Sequence, residues 1–403
     1  MTRLWDIPEI IPLSDRDGSI DMVFVTCDNV ARSGIGSGCK LNIAFNKQIP
    51  TCSSSTSHSV KDGKATCRAP EDLCVADPDF RFDLRDTLDN TDFLSIPTSS
   101  IFSDADSKMP YLLVQDTTHN PPLPVPIKLG DINQDGFPDL LAIVATDTGS
   151  SADRTPRMAY SMSCRKGIAG CSSDGKGRRG FKVLKSGGDA LHSVKDARGV
   201  AFLDMDEDGT LDVMVQRSDV QGEGNLLFVQ NNFYFDAFFL KAIGQDTPRL
   251  HDLPFGVSYS GATYKYTVLD TSGKRSAAEV GQLPQTSYQS LLTPYSYFGL
   301  GRTNNYIENL FVGSTIHNEQ HYIDMEGVIP NSKVVIIPSV DGEGAWRKEL
   351  YLRPGEWIPW VTLTVVIATI ILAVIVLVLH LSEKREDERE RRNASHHINF
   401  DAL

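Results

Sequence analysis

The chain has 403 residues, of which 23% are charged and 41% hydrophobic, and its formal net charge is −13. This length predicts two or three domains. The acidic balance argues against nucleic acid as a partner, because binding to a phosphate backbone requires clustered Lys and Arg side chains.

The first element, EIIPLSDRDGSIDMVFVTC (residues 9–27), leads from an acidic turn into a run of apolar residues. Asp15, Asp17, Gly18 and Asp21 stand at positions 3, 5, 6 and 9 of a loop that recurs twice further along the chain, but Leu13 occupies position 1. We call residues 13–21 the degenerate Asp loop. Because its first ligand is missing, we expect it to bind metal weakly or not at all.

Seven cysteines are present and none forms a CxxC pair, which argues against a zinc site or a thioredoxin-type centre. Cys27 and Cys39 flank one short loop, and Cys164 and Cys171 flank another. We therefore predict two disulfides and an oxidising compartment. A third bridge would join two of the three remaining cysteines, Cys52, Cys67 and Cys74, whose pairing the sequence leaves open.

Two complete copies of the loop follow, in GDINQDGFPDLLAIV (residues 130–144) and FLDMDEDGTLDVMVQ (residues 202–216). Each has side-chain oxygens at positions 1, 3, 5 and 9, glycine at position 6 and a backbone carbonyl at position 7. Oxygen ligands at alternate positions around a glycine turn are typical of Ca²⁺ loops, whereas softer metals prefer His or Cys. An isolated copy is also found as a polar turn, but three aligned copies favour Ca²⁺. The predicted ligands are Asp131, Asn133, Asp135, the Phe137 carbonyl and Asp139 in the first Asp loop, and Asp204, Asp206, Asp208, the Thr210 carbonyl and Asp212 in the second.

The segments that follow the loops predict β-strands. DLLAIVAT and DVMVQRS are rich in aliphatic and β-branched residues, and two or three further strand-like segments follow each loop. An EF-hand is excluded, since it needs flanking helices and a glutamate at position 12, where the chain has Ala142 and Val215.

Units of about four strands, each opened by a Ca²⁺ loop, are typical of β-propeller blades. We predict an all-β fold in which residues 1–248 form three blades of a partial propeller, with an insert rich in serine and cysteine at about residues 50–75. The third blade would include NLLFVQNN and DAFFLKAIG. Propellers close with about four to eight blades, and residues 1–20 contain no apolar segment typical of a signal peptide. We therefore expect the N-terminal part of the protein to be missing from this sequence.

Residues 249–355 alternate apolar and polar positions without further Asp loops, which predicts a membrane-proximal, β-sandwich-like domain. The segment GLGR (residues 299–302) lacks the strand and helix of a phosphate loop, and we interpret its glycines as turn residues. His317 and His321 do not form a zinc protease motif, because Asn318 stands where that motif needs glutamate. We find no catalytic set and predict that the protein is not an enzyme; a propeller hydrolase is the less favoured alternative.

Residues 357–381 predict a transmembrane helix, because the stretch 360–379 carries no charge and is long enough to span a hydrocarbon core of about 30 Å. Five Lys or Arg residues follow the helix directly, against three in the twenty residues before it. This difference places residues 382–403 in the cytosol and predicts a type I single-pass protein. Acidic and basic residues at i, i+4 spacing predict that the helix continues into this tail. A tail-anchored or endomembrane scaffold with a cytosolic propeller is the alternative topology.

These motifs together resemble a known family. GDINQDGFPDLLAIV, AEVGQLPQ, FGLGRTNNYIENLFVG, VIPNSKVVIIP and the C-terminal HHINFDAL are similar to segments of the T-cell immunomodulatory protein family, also called linkin, whose members carry integrin-alpha-like FG-GAP repeats. The resemblance implies a type I membrane protein of the plasma membrane or secretory pathway, with a calcium-binding propeller that acts in cell adhesion through protein ligands. For vertebrate members it also implies modulation of T cells. The lost ligand of the degenerate Asp loop and the insert near residues 50–75 depart from the family pattern.

Overall fold

The computed structural model describes residues 3–4, 9–11, 16, 18–49, 52, 60–61, 64–67, 80–87, 89–102, 111–222, 224–233, 236–246, 257–258, 261–282, 292–303, 306–315, 321–338, 346–352 and 357–393. The chain divides into two compact units, Met1–Tyr351 and Leu352–Leu403. The first unit is built mainly from β-strands, and the second contains one long apolar helix. The predicted β class and C-terminal helix are therefore confirmed.

Three antiparallel sheets form the first half of the first unit, and one Asp loop belongs to each. The first sheet contains Arg3–Leu4, Glu9–Ile11, Asp21–Cys27, Lys40–Ala44 and Phe93–Pro97. The second contains Asn29–Val30, Ile35–Ser37, Tyr111–Leu113, Lys128–Gly130, Asp139–Ala145, Arg154–Ser163 and Arg179–Val183. The third contains Ala197–Leu203, Asp212–Arg217 and Leu226–Val229. In each sheet the two strands that flank the Asp loop pair directly with each other.

The unbroken apolar run after the first Asp loop is explained by burial on both faces of the second sheet. Leu140, Ala142 and Val144 of strand Asp139–Ala145 pack into a core shared with the first sheet. Leu141 and Ile143 point the other way, into a core shared with the third sheet. Successive side chains of a strand alternate between the two faces of a sheet, so a sheet between two others needs apolar residues at every position. No closed ring of sheets is present in the described part of the chain.

The second half of the first unit is a sandwich of two sheets around one core. The fourth sheet contains Phe238–Asp246, Val257–Ser258, Ser296–Gly301, Ser332–Ile337 and Arg347–Leu352. The fifth contains Thr263–Leu269, Arg275–Gly281, Ile307–Gly313 and Tyr322–Val328. Large aromatic side chains fill the core, where Tyr264 and Tyr266 meet Phe298 edge to face.

Two strand assignments differ from the sequence-based expectation. DAFFLKAIG was expected in the third blade, yet strand Phe238–Asp246 pairs with Ser296–Gly301 and, in parallel, with Ser332–Ile337 of the fourth sheet. The reason is that its apolar side chains, such as Leu240, complete the sandwich core. The glycines of GLGR were interpreted as turn residues, but Gly299 and Gly301 lie in strand Ser296–Gly301.

The disulfides Cys27–Cys39 and Cys164–Cys171 are present as predicted. The third bridge joins Cys52 to Cys67, while Cys74 lies outside the described residues. Short elements complete the first unit: the pairs Gln115–Asp116 with Leu123–Pro124 and Val60–Lys61 with Lys64–Ala65, and the helices Thr98–Phe102 and Asp189–His192.

The second unit contains the helix Trp357–Asn393. In the described part of the chain, it is the one helix long and apolar enough to cross a membrane. The helix extends past residue 381 into the charged tail, as the i, i+4 charge spacing predicts.

Candidate metal centre

The degenerate Asp loop and the two complete Asp loops have positive φ angles at the same two positions. The residue at position 4 has a positive φ in each: 60° for Arg16, 58° for Gln134 and 60° for Glu207. The glycine at position 6 has one too, with φ values of 80° for Gly18, 87° for Gly136 and 91° for Gly209. Glycine, which has no Cβ, adopts φ values of 80–91° without strain. The degenerate copy therefore matches the complete loops at positions 4 and 6, while Asp15 and Asp17 lie outside the described residues.

In the first Asp loop, the predicted ligands organise the loop backbone. Asp131 accepts hydrogen bonds from the backbone N–H groups of Asp135, at 3.0 Å, and Gly136, at 2.7 Å. Asn133 accepts one from the Asp135 N–H at 3.0 Å, and Asp135 accepts one from the Phe137 N–H at 2.9 Å. These bonds hold the side chains at positions 1, 3 and 5 against the same short stretch of chain.

The aspartate at position 9 ties each loop to its own sheet. Its Oδ1 accepts a hydrogen bond from a backbone N–H of a later segment: Asn46 to Asp21 at 3.0 Å, Ser161 to Asp139 at 2.8 Å, and Asn231 to Asp212 at 2.8 Å. In the two complete loops, Oδ2 also accepts from the N–H at position 2. Position 9 therefore acts as a brace in all three copies.

The second Asp loop brings three carboxylates together. Ligand oxygens of Asp204, Asp206 and Asp208 lie within 4.8 Å of one another. Asp204 Oδ2 accepts the Gly209 N–H at 3.1 Å, whereas Asp204 Oδ1 is buried and has no hydrogen-bond partner among the described residues. Asp212 is not a member of this cluster. Thr210 contributes its hydroxyl, which donates to Asp208 at 2.7 Å.

In the first Asp loop Asp131 and Asp139 are buried and Asp135 is half-buried, and the three acids do not form so close a cluster. Burial, together with the charge of Asp135, raises the pKa of the Asp131 carboxyl to about 8. Burial also raises the pKa of Asp135, and burial with the charge of Asp131 raises that of Asp139. Arg179 lies 3.6 Å from Asp135 and offsets part of this charge. A bound cation would favour the ionised form of all three carboxyls.

The donor sets fit Ca²⁺. They consist of oxygen atoms alone, which is what hard cations require. A buried carboxylate oxygen without a hydrogen-bond donor or cation beside it lowers the stability of the fold. Asp204 Oδ1 has no hydrogen-bond donor among the described residues, and a bound cation would remove this cost. Asn133 and Asp135 also border a cleft of about 840 Å³ between the second and third sheets, which gives an ion access to the first Asp loop.

The two complete Asp loops contact the fourth sheet. Gln134 donates its side-chain N–H to the Gly209 carbonyl at 2.8 Å and to the Tyr297 hydroxyl at 3.1 Å, and its own carbonyl accepts the Gly301 N–H. Gly299 lies so close to Asp131 that an added Cβ would overlap the carboxylate. Gly299, which the sequence suggested was a turn residue, is therefore needed for the close approach of the sheet to the loop.

Two lysines of the fourth sheet reach the second Asp loop. Lys241 forms an ion pair with Asp204, and Lys333 forms one with Glu207 at 2.5 Å. The Tyr295 hydroxyl accepts the Asp204 N–H at 2.8 Å. Sequence reasoning missed these residues because they lie far along the chain from the loop and their strands carry no motif.

Comparison with known proteins agrees with this architecture. A family profile described as the ITFG1 C2 domain matches residues 254–351, which lie in the two-sheet sandwich. The T-cell immunomodulatory protein of Macaca fascicularis is 32% identical over 293 residues, covering 70% of this chain and 91% of that protein. The human protein of that name is 32% identical over 293 residues, covering 70% of this chain and 46% of the human protein.

A T-cell immunomodulatory protein homolog of Plasmodium falciparum is 27% identical over 404 residues, covering 95% of this chain and 52% of the relative. The chain thus spans about half the length of the human and Plasmodium relatives. At 32% identity over 70% of this chain and 91% of the Macaca protein, the chain belongs to the T-cell immunomodulatory protein family.

Proposed function

We propose that the protein is a type I single-pass membrane protein whose two complete Asp loops bind Ca²⁺ and whose β-sheet unit serves as an adhesion or protein-interaction module. The observation that carries the calcium assignment is the second Asp loop, where three carboxylates converge and Asp204 Oδ1 is buried without a partner among the described residues. The family relationship supports a membrane protein. The proposal also assigns the first three sheets to FG-GAP blades of a partial propeller.

Calcium binding is tested by thermal unfolding of the full chain in detergent, with Ca²⁺ or with a chelator. A ligand at a hundredfold excess over its Kd stabilises the folded state by about 2.7 kcal/mol. We expect Ca²⁺ to raise Tm in the wild type, and the double variant Asp131→Asn/Asp204→Asn to lose this rise. The control variant Asp189→Asn, which changes an exposed carboxylate outside the loops, should keep it. An equal Tm in Ca²⁺ and chelator would refute the assignment.

Topology is tested with intact microsomes and an epitope at each end of the chain. For a type I protein, added protease should remove the C-terminal epitope and spare the N-terminal one, because the residues before the helix lie in the lumen. Cys27–Cys39 and Cys164–Cys171 support this orientation, since disulfides form in oxidising compartments. The tail-anchored alternative predicts that the N-terminal epitope is the one lost.

The adhesion role is tested with cells that display the full chain. We expect these cells to bind neighbouring cells in Ca²⁺ and to detach after chelation, with the Asp131→Asn/Asp204→Asn variant detached in both conditions. The role that we propose is binding, and it is supported by Asp131 and Asp139, whose carboxylates accept backbone N–H groups of the protein itself. Equal adhesion of cells that display the wild-type chain and of untransfected cells would reject the adhesion role.

A further inference from the structure

We propose that Lys241 sets the calcium affinity of the second Asp loop, because its ammonium competes with the metal for the charge of Asp204. This inference rests on the proposed calcium function and adds a residue from outside the loop. Lys241 lies in strand Phe238–Asp246 of the fourth sheet and pairs with the carboxylate at position 1. The Lys241 ammonium therefore comes from a strand of the sandwich and lies beside the candidate metal site.

Burial makes this pair strong. The Lys241 side chain is 7% exposed and that of Asp204 is 0% exposed, so solvent and salt screen their attraction little. Tyr295 holds both partners: its ring lies 4.7 Å from the Lys241 ammonium, and its hydroxyl accepts the Asp204 backbone N–H. In the calcium-free protein, Lys241 thus compensates one oxygen of Asp204, while Oδ1 is left for a metal.

In the first Asp loop the paired cation lies at a different ligand: Arg179 lies 3.6 Å from Asp135 at position 5. Asp131 makes no ion pair with a Lys or Arg among the described residues, and the fourth sheet presents Gly299 to it in place of a cationic side chain. Lys333, the register neighbour of Lys241 on the adjacent strand, pairs instead with Glu207 at position 4, which is not a ligand position. Only the second Asp loop therefore has a fixed ammonium at its first ligand, within the described part of the chain.

Two effects of Lys241 act in the same direction. Its positive charge repels a divalent cation that approaches Asp204. Its pairing also stabilises the calcium-free loop, because it relieves the burial of an otherwise uncompensated carboxylate. Both effects weaken calcium binding. Linkage is reciprocal, so bound calcium must weaken the Lys241–Asp204 pair by the same factor and loosen the hold of strand Phe238–Asp246 on the loop.

The test is a calorimetric Ca²⁺ titration of the full chain in detergent, with Asp131→Asn present throughout so that the second Asp loop is the site observed. Lys241→Met should bind Ca²⁺ about tenfold more tightly than the parent. Lys241→Arg keeps the charge and should stay within about threefold of the parent, as should the matched control Lys333→Met, whose pair with Glu207 is more exposed. Equal affinity of Lys241→Met and its parent overturns the role of Lys241. Absence of Ca²⁺ binding in every variant refutes the proposed site instead.

If the Lys241→Met variant does not fold, a second measurement on the wild-type chain tests the same proposal. The wild-type chain is treated with an amine-acetylating reagent, and modification of Lys241 is quantified by mass spectrometry with and without Ca²⁺. Because calcium weakens the pair, Lys241 should be modified faster in Ca²⁺, while exposed Lys166 in the same sample should not change. Unchanged Lys241 modification at saturating Ca²⁺ contradicts the competition.

Discussion

Gly209, at position 6 of the second Asp loop, is subject to two separate constraints. Its φ of +91° lies in the left-handed region, which residues with a Cβ rarely adopt. In addition, an added Cβ would overlap the ring of Phe239, which stacks on Tyr297 at a centroid distance of 6.0 Å. The first constraint comes from the loop and the second from the fourth sheet.

These constraints can be separated with two alanine variants. Gly222 also has a positive φ, +72°, but nothing lies within 4 Å of an added Cβ. Gly222→Ala should therefore lower the free energy of unfolding by about 1–2 kcal/mol through backbone strain alone. Gly209→Ala should lose about 1–3 kcal/mol more, because the Phe239 ring must also move. The measurement is denaturant unfolding in chelator; equal losses would mean that the fourth sheet does not constrain the loop.

The acids of the two complete Asp loops could be singled out from their spacing because they are local: those of each loop fall within nine consecutive residues. Lys241 and Tyr295 could not be found in this way. Each contacts Asp204 only because the sandwich packs against the loop, and a lone lysine in an apolar strand has no distinguishing pattern. The part of the site that comes from tertiary contact was therefore beyond local sequence patterns.

At the scale of elements, strand Asp139–Ala145 is buried along its whole length between two cores. Leu141→Ala should reduce the free energy of unfolding by about 2–5 kcal/mol, because it opens a cavity where the packing is complete. Leu226→Ala provides the control: this leucine is 54% exposed at the edge of the third sheet and should cost less than about 0.5 kcal/mol. Unfolding in denaturant measures both, and similar losses would contradict burial on both faces.

The strands themselves were largely predictable, but their partners were not. Apolar patterning located Asp139–Ala145, Asp212–Arg217 and Leu226–Val229 correctly, because one strand is a local feature. Strand Phe238–Asp246 was recognised as a strand and assigned to the wrong sheet. Its parallel partner, Ser332–Ile337, begins more than eighty residues after it ends. The pairing of strands so far apart leaves no local pattern in the sequence.

At the scale of the whole molecule, membrane attachment depends on helix Trp357–Asn393. A charge near the centre of a transmembrane helix costs about 2.5–3.5 kcal/mol on insertion. Ile370→Arg should therefore increase the fraction of chain released from membranes by alkaline extraction. Glu386→Arg, which changes a residue of the charged tail, should be retained like the wild type. Equal extraction of the two variants would contradict a bilayer span centred on the apolar stretch.

The residue at position 4 joins the loops into a directed series. Arg16 packs against Gly136, Gln134 donates to the Gly209 carbonyl, and Glu207 pairs with Lys333 of the fourth sheet. The first two loops thus each contact the position-6 glycine of the next loop, and the third loop contacts the sandwich. The degenerate Asp loop keeps its place in this order without its first ligand, because Arg16 reaches the next loop through a side chain that needs no ion. The contact of the degenerate Asp loop with the next loop therefore does not depend on its first ligand position, so the ion binding proposed for these loops and their contact with a neighbouring loop are separable properties.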